Sequence, residues 1–194
     1  MELKKKFIKI SGLSGILLPI LTITLLILAL QQASWFSWTG NAISDLGRSS
    51  SGILCFNFGL IIIGILLLIF SIGLYFYLGG ARVGPTMLAI SSIYFIGIGF
   101  FPLPNPNHID FSGLFFIAFP LAFFVLGLQI FRNKCDFICK MGIFAIIIGA
   151  FSLLAPIFLI FYNGIAIPEF IILTSAFIWC FAFGFKMLIS KSLT

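Results

Sequence analysis

Six long apolar runs dominate this sequence and limit what the chain can fold into. Each run can cross a bilayer, because a helix spans the hydrocarbon core in about 20 residues. The connections between the runs are too short to form a second domain. The sequence therefore predicts an all-α integral membrane protein, one transmembrane domain over residues 1–194 built as a bundle of six transmembrane helices. The predicted spans cover approximately residues 7–30, 53–78, 85–101, 113–131, 142–162 and 168–188.

Composition excludes the soluble alternatives. Hydrophobic residues make up 61% of the chain and charged residues only 8%, whereas a soluble domain carries about 25% charged residues. A soluble enzyme and a disordered regulator are therefore excluded. The net charge of +6 does not indicate a nucleic-acid partner, because the basic residues are scattered between apolar runs and form no phosphate-tracking surface. Membrane lipids are the expected partners, and assembly into a homo-oligomer is left open.

The distribution of basic residues predicts the orientation of the bundle. With a cytoplasmic N-terminus, ten of the eleven lie on the cytoplasmic side and Arg48 alone lies outside, as the positive-inside rule requires. Both termini are therefore predicted to be cytoplasmic, in a multi-pass protein of the cell membrane. The lysines before the first run resemble a signal peptide, but the run is too long for one and lacks a convincing cleavage site, which predicts a retained first helix.

Prolines interrupt three of the predicted spans. Pro19, Pro120 and Pro156 lie within apolar runs. Each lacks a backbone N–H group and can kink its helix. We therefore expect irregular helix geometry at these three positions.

The first predicted extracytoplasmic connection, residues 38–48, is polar and contains Asn41, Ser44, Asp45 and Arg48. The acid precedes the arginine by three residues, a spacing that permits an ion pair on one helical turn. An arginine beside an acid suits a phosphate or carboxylate, such as that of a lipid head group. Arg48 is therefore predicted to bind an anion, with Asp45 orienting either Arg48 or His108.

A second outer connection, residues 101–110, carries the only histidine of the chain. Three prolines in five positions stiffen it. His108 lies two residues from Asp110, and a histidine near a carboxylate suits proton transfer near neutral pH. His108 and Asp45 are thus the candidate catalytic residues. Glu169 adds a carboxylate from the third outer connection.

Asn57 lies one to two turns inside the second predicted span. A buried amide needs hydrogen-bond partners, so it forms either the floor of an outer site or a simple interhelical bond. The candidate ligand-binding residues are Arg48, Asn57, Asn41 and Ser44. The alternative is a solvated outer rim in which Asp45 and Arg48 merely pair.

Other chemistry has weaker support. No cofactor and no metal site are predicted, because a lone histidine with scattered carboxylates lacks metal-ligand spacing. Cys135 and Cys139 lie one helical turn apart, but two thiols do not complete a zinc site. Ser44 could act as a nucleophile with Asp45 and His108, although the Gly-x-Ser-x-Gly turn is missing. Without a phosphate-binding glycine-rich motif, nucleotide-driven transport is not predicted.

This pattern favours a polar pocket on the extracytoplasmic side. The pocket would bind a lipid head group or anionic amphiphile, and in one version of the hypothesis it would also modify it. A small-solute or ion carrier is the first alternative, and it needs polar residues through the midplane. Below Asn57 the spans have almost none. The second alternative is a structural or assembly subunit without catalytic activity. Whether the protein is an enzyme stays open.

Several short motifs resemble those of one family. They are Gly15 with Pro19, Asn41-x-x-Ser44-Asp45-x-Gly47, Phe56-Asn57-x-Gly59, and Phe101-Pro102 leading to His108. The chain is similar in these residues to an uncharacterised family of prokaryotic six-helix membrane proteins, catalogued as domain of unknown function 998. The resemblance implies a shared pattern that includes Asn41, Ser44, Asp45, Asn57 and His108, and it implies no activity. A looser similarity is to alkaline ceramidases, which need three histidines where this chain has one.

Overall fold

Six helices that are long and apolar enough to cross a membrane form the fold. The computed structural model describes residues 2–48, 56–134 and 136–190, and no strand occurs within these ranges. The predicted six-helix architecture is confirmed. Two short 3-10 helices accompany the six, one between the first and second helices and one after the fifth. The elements are α1 (Glu2–Gln31), η1 (Ile43–Arg48), α2 (Phe58–Leu78), α3 (Val83–Phe100), α4 (Asn107–Ile130), α5 (Asp136–Leu153), η2 (Ala155–Ile160) and α6 (Ala166–Ile189).

The helices pack as a closed ring. Each helix contacts the next one in the chain, and α6 returns to contact α1. The contact between α5 and α6 is the least extensive of the six. Opposite helices scarcely touch, so side chains fill the interior of the ring.

The two ends of the ring differ in charge. Lys4 lies 5.6 Å from the ring centre of Phe76, which joins the start of α1 to the end of α2, and Lys186 lies 5.7 Å from Phe137 at the start of α5. We call this end the basic end and the opposite one the η1 end. Among the described basic residues only Arg48 lies at the η1 end. The orientation of the bundle, with the basic end facing the cytoplasm, stays a prediction. The basic end holds Lys4, Lys5, Lys6, Lys9, Arg82, Arg132, Lys134, Lys140 and Lys186.

An aromatic stack fills the interior of the ring near the basic end. Trp179 is fully buried, and its ring centre lies 4.7 Å from that of Phe183, 5.4 Å from Phe123 and 6.3 Å from Phe70. Its indole Nε1 donates a hydrogen bond of 2.7 Å to the carbonyl of Met141. Because these residues come from α2, α4, α5 and α6, the stack joins four helices across the ring.

Small residues allow α1 and α6 to approach closely. A Cβ atom at Gly12 would lie 2.7 Å from the carbonyl oxygen of Gly184, and a Cβ atom at Gly184 would collide with the carbonyl oxygen of Gly12. Such close backbone approach is typical of helix packing within membranes. The first helix is therefore an integral part of the ring.

The helix α4 begins earlier than the sequence predicts. It starts at Asn107, six residues before the expected start of the fourth span, so His108 lies in its first turn and not in a free connection. Pro106 has the helical φ of −60° that suits a helix start. The Asn105 side chain accepts a 3.0 Å hydrogen bond from the Asn107 N–H group. Hydropathy missed this polar first turn because it marks only the apolar part of a helix.

The prolines have two different outcomes. The helices α1 and α4 continue through Pro19 and Pro120. At Pro156 the α-helix does not continue: α5 ends at Leu153 and η2 takes over. Proline at this position has no N–H group to donate along the helix.

Candidate functional site

The described part of the connection after α1, residues 32–48, lies over the η1 end of the ring and is tied to the start of α6. The carboxylate Oε2 of Glu169 accepts a 2.6 Å hydrogen bond from the Ile43 N–H group. The carbonyl of Asn41 accepts hydrogen bonds of 3.0 Å from both Ile165 and Ala166. These bonds hold η1 as a lid across the ring.

Asn41 and Asp45 build the turn that leads into the lid. The amide Oδ1 of Asn41 accepts a 2.9 Å bond from the Ser37 N–H group, and its Nδ2 donates to Asp45 Oδ2 at 3.2 Å. The same Asp45 oxygen accepts the N–H group of Ala42 at 2.9 Å. Both side chains therefore satisfy backbone donors, which fixes the start of η1.

The predicted ion pair between Asp45 and Arg48 is present. The Nε atom of Arg48 lies 3.0 Å from Asp45 Oδ1, and the two side chains are 57% and 15% exposed respectively. Within the described residues Arg48 makes no other ion pair. Since guanidinium carries five N–H donors, its exposed part has capacity for a second anion.

Asn57 joins α2 to the lid. Its side chain is buried, and Nδ2 donates a 3.0 Å hydrogen bond to the carbonyl of Gly47 in η1. A Cβ atom at Gly47 would collide with Oδ1 of Asn57. The glycine is therefore required by the close approach of this amide, and Asn57 anchors the lid from below.

Two small cavities lie inside the ring beneath the lid, with volumes of about 60 and 40 Å³. The polar residues that line the larger cavity are Ser44, Ser112 and Glu169, and those that line the smaller cavity are Thr22 and Thr174. About 10–15 Å³ of such space is needed for one water molecule, so each cavity accepts only a few atoms. The cavities share mainly apolar walls, formed by Ile43, Phe56, Leu60, Phe95 and Leu173.

His108 is buried at the start of α4 and stands apart from the lid residues. Its Nδ1 lies 2.9 Å from the carbonyl oxygen of Phe101. Because a carbonyl only accepts, Nδ1 carries a proton and donates this hydrogen bond. Nε2 is buried without a hydrogen-bond partner in the described chain. No hydrogen bond or ion pair joins the ring to Asp45, Arg48 or Asp110 within that part of the chain.

The helical setting explains why His108 and Asp110 do not pair. Residues two apart on a helix do not face each other, and Asp110 is exposed while His108 is buried. The structure thus brings Asn41, Asp45 and Arg48 together and leaves His108 separate. Proton transfer by His108 stays a prediction, and among the described residues no carboxylate forms an ion pair or hydrogen bond with its ring.

Ser112 is a cavity residue that the sequence analysis missed. It lies one turn after His108, donates its hydroxyl to the His108 carbonyl and lines the larger cavity. Ser112 follows His108 by four residues, so a helix predicted to begin at Asn107 would have placed the two on the same face.

The described residues include no group of three His, Cys, Asp or Glu side chains placed to hold a metal ion. Of the cysteine pair noted above, Cys135 lies outside the described residues. The thiol of Cys139 donates to the carbonyl of Phe131 at 2.7 Å.

Comparison with known families decides the relationship that the motifs suggested. The model of the family described as "Protein of unknown function (DUF998)" matches residues 15–186. The chain belongs to this family. No curated protein and no solved structure matches it. The DUF998 protein is therefore an integral membrane protein with six spanning helices, and its family defines no activity.

The structure gives the motif residues of this DUF998 protein a common location. Asn41, Asp45 and Gly47 all lie in the lid or the turn before it, and Asn57 holds the lid from α2. Ser44 is the exception, because its side chain makes no hydrogen bond with another described residue and lines the larger cavity. The motif therefore builds the lid and presents one hydroxyl to the space beneath it.

Proposed function

We propose that the η1 end of this DUF998 protein binds a polar lipid or similar anionic amphiphile. The head group lies at Arg48, and the adjoining part of the molecule enters the cavities beneath the lid. The observation that carries the proposal is an apolar interior cavity whose polar lining groups, Ser44, Ser112 and Glu169, come from η1, from the second turn of α4 and from the first turn of α6. Apolar walls with a few polar groups on one side are typical of small-molecule sites.

The dimensions suit a molecule that bridges the lid and the cavity. Ser44 precedes Arg48 by four residues in a 3-10 helix, which rises about 2.0 Å per residue. The backbone of Arg48 therefore lies about 8 Å further along η1 than that of Ser44, while Nε of Arg48 is held 3.0 Å from Asp45, the residue next to Ser44. This separation suits an anionic head group joined to the first atoms of a chain, and the small volumes limit entry to that short portion.

Arg48 supplies the charge that selects an anion. Its contact with Asp45 is made through Nε, and the remaining N–H groups of the planar fork suit two phosphate oxygens. Asp45 competes with the ligand for the same guanidinium. Replacing Asp45 by Asn should therefore strengthen binding of an anionic amphiphile. If Asp45 and Arg48 only form a solvated rim, this change should leave the affinity for lipid unchanged.

The packing of the opposite half favours a one-sided site over a carrier. The aromatic stack around Trp179 occupies the interior of the ring toward the basic end. A path through the bundle would need polar groups along that interior. The stack offers one N–H group there, and Trp179 already directs it to Met141.

Photolabelling in lipid nanodiscs tests the proposal. The probe is phosphatidylglycerol with a photoreactive group near the start of one acyl chain, and the labelled peptides are mapped by mass spectrometry. We expect labels on Phe56, Leu60 or Phe95, with loss of this labelling in the Arg48→Ala variant. Arg132→Ala removes an exposed arginine from the basic end and serves as the matched control. Cavity labelling that persists unchanged in Arg48→Ala would refute the assigned head-group position.

A further inference from the structure

A groove of about 550 Å³ opens at the basic end, between the first turns of α1 and the last turns of α6. Lys5, Lys6 and Lys9 line one side of it, and Ile8, Tyr77 and Met187 line other parts. It is several times larger than the cavities beneath the lid and lies at the opposite end of the ring. Its chemistry is therefore independent of the function proposed above.

Two of the groove lysines, and Lys134 outside the groove, lack the ion pair or ring contact that the other described cations at this end have. Lys6 pairs with Glu2 at 3.6 Å, and Lys140 pairs with Asp136 at 2.9 Å. Lys4, Arg82, Arg132 and Lys186 each lie against an aromatic ring. In the described chain neither Lys5 nor Lys9 has an ion pair or a ring contact.

The spacing of Lys5 and Lys9 makes an anion favourable between them. They are four residues apart on α1, so their side chains are neighbours on the helix surface, where like charges repel. Both face the same groove. A bound anion removes this repulsion and gains two charge-assisted contacts.

The groove also presents apolar surface beside the lysines. Ile189 is 55% exposed, and Tyr77 and Leu188 are half-buried, so their side chains are accessible to an apolar part of a ligand. The helix α1 has 30 residues and is therefore about 45 Å long, which exceeds the hydrocarbon core of about 30 Å. Its lysine-bearing first turns thus extend to the level of the lipid head groups.

We infer that this groove binds an anionic phospholipid of the adjacent leaflet. The phosphate pairs with Lys5 and Lys9, and the acyl chains lie over Tyr77, Leu188 and Ile189. Basic pockets between transmembrane helices are suited to anionic head groups because each nearby lysine contributes about 1 kcal/mol at a membrane surface.

The full chain in nanodiscs, titrated with the same photoreactive phosphatidylglycerol, tests this site separately. We expect labels on the start of α1 and the end of α6, and much weaker labelling there by a phosphatidylcholine probe. The Lys5→Gln/Lys9→Gln variant should need about 30-fold more probe for half-maximal labelling of the groove. Lys5→Arg/Lys9→Arg should retain labelling, and the single variants should each lose about fivefold.

A matched control separates the groove from general surface charge. Arg132→Gln/Lys134→Gln removes two charges from the same end outside the groove and should leave its labelling unchanged. Equal losses in the two double variants would overturn the inference, as would equal labelling by phosphatidylcholine. Inorganic phosphate that displaces the probe completely would assign the groove to a free ion. If removal of residues 191–194 raised the affinity for the probe more than about tenfold, the groove would be assigned as the binding site of that segment and not of a lipid.

Discussion

The two halves of the ring differ in how their interiors are filled. Toward the basic end, the rings of Phe70 and Phe123 pack edge-to-face against Trp179. Toward the η1 end, two cavities remain beneath a lid held by side-chain hydrogen bonds. A closed ring of six similar helices thus contains one half built for packing and one half that can admit part of a ligand.

Unpaired polar atoms show the same difference. Within the described residues, the buried side-chain atoms that lack a hydrogen-bond partner are Nε2 of His108 and Oγ1 of Thr22. Both lie in the half toward the η1 end. Burying a polar atom without a partner costs free energy, so this half retains polar groups that packing alone does not explain.

Removing the centre of the aromatic stack should have the largest effect on stability. Trp179→Ala leaves a large cavity and removes the hydrogen bond to the Met141 carbonyl, and we expect a loss of about 3–5 kcal/mol in the free energy of unfolding. Phe95→Ala, which enlarges cavities that already exist, should cost less. Thermal unfolding in detergent compares the two variants. Equal losses of stability in the two variants would show that the two halves of the ring do not differ in how tightly their interiors are packed.

Adding one methyl group to the lid should have the next largest effect. In Gly47→Ala the new Cβ atom collides with Asn57, and we expect a loss of about 1–3 kcal/mol. Gly113→Ala is the control, because a Cβ atom there meets no other atom within 4 Å. A Gly47→Ala protein as stable as the control would show that the lid does not lie against Asn57.

Asn57→Ala should loosen the lid without disturbing the aromatic stack. It removes the donor that reaches the Gly47 carbonyl, at a cost of about 1–2 kcal/mol. Hydrogen exchange in η1 should then become about tenfold faster, while exchange around Trp179 in α6 stays unchanged. Equal acceleration in both regions would mean that the two halves open together.

Arg48→Ala should have the smallest effect on stability. The Arg48 side chain is 57% exposed, and ion pairs made by such exposed side chains contribute about 1 kcal/mol or less. The unfolding temperature should therefore change little even though lipid labelling of the cavities is lost. A large loss of stability would instead identify Arg48 as a structural residue of the lid.

Hydropathy and spacing predicted much of the fold and part of the site. The six helices follow from apolar runs, and the contact between Asp45 and Arg48 follows from their separation of three residues. The bond from Asn57 to Gly47 could not be predicted, because it depends on how η1 folds back onto α2. The position of Ser112 was missed because the polar first turn of α4 carries no hydropathy signal.

A structure determined in nanodiscs that contain phosphatidylglycerol tests the central claim most directly. The account predicts an elongated ligand that contacts Arg48 at the lid and enters the cavity beside Ser44 and Ser112. The interior around Trp179 should remain free of lipid. A lid closed over side chains alone, with Arg48 turned to solvent and no ligand beneath it, would contradict the account.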